Sequence, residues 1–184
     1  MHLIYLFITL SISSEAHGER PNIINRNSPS DNSPQIKDDF LIGSDANFFN
    51  GSCGPNAYYY YNYSAHHLYI SGTGPMADYQ LGKTPWHCFH HIIRNITIDE
   101  GITAIGSFSF YHCYILPNFS LPASVTSIGA YAFARCDNLT KIYNGTCLNY
   151  LGEYAFYNCT NFVSLTPIVN STSIKPYTFY RTQA

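Results

Sequence analysis

Charge is the scarcest property of this chain. Lysine and arginine number 9, aspartate and glutamate 11, so charged residues make up 11% of the 184, against about 25% in an ordinary globular protein. Solubility must then rest on Ser, Thr, Asn and Tyr. No basic cluster occurs and the net charge is −2, which leaves no phosphate-neutralising surface and excludes nucleic acid as a partner. There is no Cys-x-x-Cys pair, the spacing that metal-binding and redox cysteines favour. A Gly-x-Ser-x-Gly elbow, which would hold a nucleophile on a strained turn, is absent too. Beyond the first residues no apolar run reaches the ~20 needed to cross a bilayer as a helix. No catalytic residue, cofactor or resident metal is expected.

What the chain has instead is a pattern that repeats at an offset of 23 residues. Phe110, Phe133, Phe156 and Phe179 keep this step, as do Ile105, Ile128, Leu151 and Ile174. Ile93, Leu116, Leu139 and Phe162 follow it, and so do Cys113, Cys136 and Cys159, and Gly106, Gly129 and Gly152. A unit this short cannot enclose its own apolar side chains, so units must stack. Within one unit, Leu116-x-x-Phe119-x-Leu121 reads as a short strand ending at Pro122. Ser124 to Ile128 reads as a second extended leg, and Gly129 as a turn. One helical turn over Ala130 to Cys136 would put Ala132, Phe133 and Cys136 on a common face. Stacking then predicts parallel strands about 4.8 Å apart with inward ladders of equivalent side chains.

The stretch from Phe119 through Leu121-Pro122, Val125-Thr126, Ile128-Gly129 and Ala132-Phe133 to Cys136 resembles the repeat of the BspA-like leucine-rich-repeat surface proteins. Cys53-Gly54, Leu68 to Tyr79 and Pro85-Trp86 are similar to that family's N-terminal cap. The resemblance implies a leucine-rich-repeat solenoid of short parallel β-strands with helical turns behind a β-rich cap. It implies an extracellular recognition or adhesion role toward a protein or glycan on a host or neighbouring cell, and no catalytic residues. Such proteins commonly bind on the concave strand face. Here that face is Asn95, Asn118, Lys141 and Ser164 beside Thr97, Ser120, Tyr143 and Thr166.

The domain order expected is a signal peptide over 1–16, a flexible arm over 17–44, the cap over 45–92 and repeats over 93–184. The apolar run Leu3 to Leu10, with Ser14 and Ala16 before His17, fits a leader, although a buried strand would look similar. It places the chain outside the cell or on its surface. The arm is rich in Asn, Ser and Pro, which favours a solvated spacer. In the cap, Asn56 to Tyr61 and His66 to Ser71 read as a hairpin covering the first coil. Its Tyr run offers a candidate aromatic patch at Tyr59 and Tyr61, although the commoner role of such a run is that alternate rings pack in the cap while the others lie on its surface.

Asn-x-Ser/Thr acceptors stand at Asn50, Asn62, Asn95, Asn118, Asn138, Asn144, Asn158 and Asn170, candidates for N-glycosylation in a eukaryotic secretory pathway. Such triplets also arise by accident in an Asn- and Thr-rich chain. Laddered side chains sit farther apart than the ~3.5 to 4.5 Å between β-carbons that a disulfide needs, so Cys113, Cys136 and Cys159 read as small buried hydrophobes. A Cys53–Cys88 bridge within the cap is an open alternative, with Cys147 also outside the ladder. His87 and His91, four apart, could share a metal on a helical turn, but no acidic third ligand accompanies them. Three readings thus differ: a recognition module, a self-assembling repeat protein joined through an open C-terminal coil, and a metal-dependent enzyme resting on histidines alone.

Overall fold

A computed structural model describes residues 48–143, 148–165 and 173–183. The expected leader and arm, and Asn144, Cys147, Thr166 and Asn170, lie outside the described residues. The chain opens on three antiparallel strands, β1 (Phe48–Ser52), β2 (Ala57–Asn62) and β3 (His67–Gly72). Strands β2 and β3 are the expected hairpin. Strand β1 is an addition to the two strands expected in the cap. Phe48 stacks on Tyr60 and Phe49 packs on Phe89, at 5.2 and 5.4 Å between ring centroids, and these contacts hold β1 against β2 and a 3-10 turn.

The hairpin is joined to the repeats by backbone pairing. Strand β3 runs parallel to β5 (Asn95–Ile98), with His67 opposite Asn95, Leu68 opposite Ile96 and Tyr69 opposite Thr97. The short β4 (Gly74–Pro75) pairs with β6 (Ile102–Ile105). A 3-10 turn over His87–Ile92 follows Trp86, which is fully buried, stacks on Phe110 at 5.9 Å and donates its indole N–H to the Ser109 carbonyl at 2.7 Å.

From there each coil contributes two short strands. The first legs β7 (Phe119–Ser120), β9 (Lys141–Tyr143) and β11 (Ser164–Leu165) form one parallel sheet. The second legs β6, β8 (Ser127–Ile128), β10 (Tyr150–Leu151) and β12 (Ser173–Ile174) continue another that begins at β4. Partners fall at the sequence period: Phe119 meets Ile142, Lys141 meets Ser164, and Ile105, Ile128, Leu151 and Ile174 form one row. Phe110, Phe133, Phe156 and Phe179 stack at 5.1, 5.5 and 5.4 Å. The glycine column is needed for close approach. A β-carbon on Gly129 would lie 2.5 Å from the Ser107 nitrogen, and one on Gly152 2.5 Å from that of Ala130.

The third leg is not the helical turn the spacing predicts. Tyr131 and Arg135 have φ of 54° and 61°, and the equivalent residues Phe108 and His112, Tyr154 and Asn158, and Tyr177 and Arg181 are left-handed as well. Amides therefore alternate in direction. Ala132, Ala134 and Cys136 donate back three residues within the coil, while Tyr131, Phe133 and Arg135 donate to Glu153, Ala155 and Tyr157 of the next, at 2.7 to 3.0 Å. A left-handed residue with a side chain costs roughly 1–2 kcal/mol. Phe108, His112, Tyr131, Arg135 and Asn158 each gain an inter-coil hydrogen bond of about 1 kcal/mol. Phe108, Tyr131, Tyr154 and Tyr177 also stack at 4.9, 4.9 and 5.0 Å, worth roughly 0.5–1.5 kcal/mol per pair. Ala132, Phe133 and Cys136 are nonetheless all buried, as expected.

Cys113, Cys136 and Cys159 are buried free thiols, and Cys136 and Cys159 donate to the carbonyls of Phe110 and Phe133 at 3.1 and 2.9 Å. Burial pushes Cys113 and Cys136 above their usual range and Cys53 up to about 12. A thiol with a raised folded-state pKa stabilises fully below its unfolded value, and the contribution is lost as pH climbs toward the folded value. Circular dichroism is expected to hold to about pH 9 and fall above it, with thiolate absorbance appearing only together with unfolding. Phe133→Ala opens a cavity between two stacked rings and should cost about 3–5 kcal/mol in denaturant unfolding.

Candidate recognition face

Alternation on β5 turns Ile96 and Ile98 inward and leaves Asn95 and Thr97 exposed. Asn118, Ser120 and Tyr143 are exposed on the neighbouring strands, whereas Lys141 and Ser164 are half-buried. Thr166 lies outside the described residues. The row is not uniform in role. Lys141 reaches over the Tyr143 ring at 5.3 Å, while the Ser164 hydroxyl is buried without a hydrogen-bond partner. Asn118 ties coils together, because its Oδ1 accepts the Lys141 N–H at 2.9 Å and the Thr140 hydroxyl at 2.5 Å.

The parallel pairing of β3 with β5 extends this face into the cap. His67 bonds Thr97 through Nε2 and Oγ1 at 2.8 Å and stacks on Tyr69 at 3.9 Å. Tyr69 meets Tyr60 at 5.8 Å, and Tyr60 meets Phe48. The outward rings are thus Phe48, Tyr58, Tyr60, His67 and Tyr69, one residue out of phase with the pair expected from the sequence. Tyr61 is fully buried on Phe89, 4.1 Å between centroids, and burial raises its hydroxyl to about 12. Tyr59 turns inward against Trp86 at 5.4 Å. Four consecutive tyrosines carry no cue to their phase. It is set by the partners across the strand, where Tyr59 opposes Ile70 and Tyr61 opposes Leu68.

The other candidates resolve by geometry. Cys53 is buried, Cys88 is exposed, and both are free, so the alternative of a Cys53–Cys88 bridge is not realised. His87 and His91 do not align, because three residues per 3-10 turn stack His87 on His90 instead, at 4.8 Å and 8°. His90 also meets the His87 carbonyl and lies 5.7 Å from His112. Burial and the neighbouring imidazoles lower its pKa, against the raising effect of the carbonyl bond. Among the described residues no group of His, Cys, Asp or Glu is disposed to hold a metal, and no helix is long and apolar enough to cross a membrane. Of the glycosylation candidates, Asn50, Asn95, Asn118 and Asn138 are exposed. Asn62 and Asn158 are half-buried, the first accepting the Ala65 N–H and the second left-handed at φ 55°.

A family model for the BspA type leucine rich repeat region matches six copies over residues 85–184. The matched span begins ahead of β5, where Trp86 stacks on Phe110 as the first rung of the ring ladder. Among solved structures, a leucine-rich repeat protein from Eubacterium ventriosum is similar in fold, with a TM-score of 0.55 and 21% identity over 67% of this chain. The chain spans 45% of that structure's length. No curated protein matches.

The two bonds at Asn118 lead to a stability difference between equivalent positions. Asn118→Ala is expected to cost about 1–2 kcal/mol in urea unfolding, because it strands the Lys141 amide. Asn118→Asp, which keeps the acceptor, should recover most of it. Equal losses in both variants would show that the acceptor is not what matters.

Proposed function

Since the chain belongs to the BspA-type leucine-rich-repeat family, we propose that it is a secreted or surface-associated recognition or adhesion protein. The repeats act as a capped solenoid scaffold, and the outer strand face meets a protein or glycan on a host or neighbouring cell. One observation carries this reading. Through the β3–β5 pairing, the outward rings of the cap lie beside Asn95 and Thr97, and the separate sheet of β7, β9 and β11 carries Asn118, Ser120, Lys141 and Tyr143 next to them. Carboxylates are absent from these positions, and Lys141 is the sole cation. An ordered, nearly uncharged face of hydroxyls, amides and tyrosines suits hydrogen-bonded and aromatic contact better than salt bridging.

Size limits its strength. Two sheets, of four and three strands, with strands about 4.8 Å apart within each and two or three outward residues per strand, give a few hundred Å², below the ~800 Å² per partner of a standard interface. Tight attachment therefore requires several copies acting together. Sugars on Asn95 or Asn118 would stand on the same face and oppose binding. We assign no catalysis to the scaffold.

Attachment of the purified chain to a responsive cell or matrix surface tests the assignment. Lys141→Ala with Tyr143→Ala, and separately Tyr60→Ala, should each reduce attachment at least about fivefold, roughly 1 kcal/mol per anchor removed. Unchanged attachment in both would overturn it, provided thermal unfolding is unaltered.

A further inference from the structure

Charged side chains are scarce in this chain, but its histidines are not scattered. Four of the eight meet where the cap joins the first coil. Trp86 is anchored in the core. The 3-10 turn that follows it, at three residues per turn, stacks His90 on His87 at 4.8 Å between ring centroids, with His91 at 5.6 Å. The fourth imidazole comes from the first coil, where left-handed backbone at His112, φ 62°, places its ring 5.7 Å from His90. His90 is thus central. His87 and His91 are exposed, and His90 and His112 are half-buried.

The surroundings supply cations and few counter-charges. Arg135 takes the same left-handed position as His112 one coil later, φ 61°, is exposed, and donates to the Tyr111 hydroxyl. Exposed Lys83 and Arg94 stand before and after the turn, and Cys88 on the turn is an exposed thiol. The groups that act on His90 are the other three imidazoles and the His87 carbonyl, with no carboxylate among them. Asp137 acts on Arg135. Asp78 accepts the Ser107 N–H at 2.6 Å, and Glu100 accepts those of Ala123 and Ser124 at 3.0 and 3.2 Å. Rings border the cluster, since His112 meets Tyr111 at 6.1 Å and the exposed Tyr114 at 5.5 Å.

We propose that this cluster is an acid-activated binding site for an acidic glycan, one whose sugars carry sulfate or carboxylate. Near neutral pH only Lys83, Arg94 and Arg135 carry charge here. Below the ordinary histidine pKa of about 6.5 imidazolium charges accumulate within a few ångströms of one another. Like charges this close repel, and an anion set among them removes the repulsion. Protonation therefore tightens the anion, and the anion holds the protons by the same factor. Affinity is gained as pH falls through the histidine range and lost as it rises. Imidazolium N–H groups give charge-assisted bonds to sulfate or carboxylate oxygens, while the C–H face of the sugar covers the Tyr114 ring. Neither a peptide carboxylate nor a lipid headgroup offers that second contact. The site draws on none of the strand positions of the recognition face, and neither reading requires the other.

The test measures binding of the purified chain to dextran sulfate and to polygalacturonate at about pH 5.5 and about pH 7.5, on either side of the histidine range. Unmodified dextran, polyglutamate and phosphatidylserine vesicles are the controls. Binding of at least one acidic glycan, at least about tenfold tighter at the lower pH, is the expected result, and the tighter of the two identifies the anion. His90→Gln with His112→Asn should remove most of that gain, the latter copying the asparagine at the equivalent left-handed position 158. His87→Gln with His91→Gln, both at exposed positions, should reduce it at least about fivefold with thermal unfolding at neutral pH unchanged. In the unsubstituted chain, the imidazole ring protons followed by NMR should titrate at higher pH when the glycan is saturating. Equal affinity at the two pH values, a gain that survives both double variants, or histidine titrations that the glycan does not move would overturn the proposal. So would polyglutamate or the vesicles binding as tightly as the acidic glycans, because charge alone would then decide.

Discussion

Everything in this molecule depends on successive coils lying one strand spacing apart. The inter-coil hydrogen bonds set that distance, and each column of side chains must then tolerate it. Gly106, Gly129 and Gly152 do so by having no β-carbon, since one would strike backbone at Ala77 for Gly106 and backbone of the preceding coil for the other two. Phenylalanines do so by stacking nearly parallel, Phe133 and Phe156 at 4°. The cysteines fit as small apolar groups, and the thiols of Cys136 and Cys159 bond carbonyls of the coil before. The tyrosines at 131, 154 and 177 accept left-handed backbone, which lays their rings on one another and, at Tyr131, aims the amide at Glu153 of the next coil.

A stack of this kind has ends, and the described residues show one of them covered by unlike material. The cap reproduces what a preceding coil would supply. Strand β3 pairs with β5 in the same parallel sense that β9 pairs with β7, Trp86 stands in for a ladder phenylalanine, and its indole replaces a missing amide. This substitution explains why the cap is so aromatic. Rings fill the volume of a coil with few residues, and Tyr61, Phe89, Tyr59 and Trp86 form one packed group behind the sheet.

The same pairing gives the cap a functional consequence. Had the hairpin closed the stack with its edge alone, its outward rings would face away from the repeat strip. Because β3 is hydrogen-bonded to β5 in register, Tyr69 stands beside Thr97 and His67 beside Asn95. Low charge then becomes intelligible. A face presented for hydrogen bonding and aromatic contact loses nothing by lacking lysines and carboxylates, and the inter-coil contacts need none.

The sequence by itself determined the period, the apolar ladders, the parallel pairing and the hairpin of the cap, because each rests on which residue types recur at which spacing. Ile105, Ile128, Leu151 and Ile174 could be aligned by eye and are aligned in space. Three features were decided only by tertiary structure. The third leg is a run of left-handed turns and not a helix, since the acceptors that favour it, such as the carbonyls of Ala155 and Tyr157, lie 22 residues away from their donors Phe133 and Arg135. Asn118 serves as a tie between coils while the equivalent Asn95 faces the cap's His67, a distinction that depends on the neighbouring strand and not on the residue. Which tyrosines of the run at 58–61 face outward depends on the opposite strand, because a one-residue shift reverses every side chain and only pairing with Leu68 and Ile70 selects the phase.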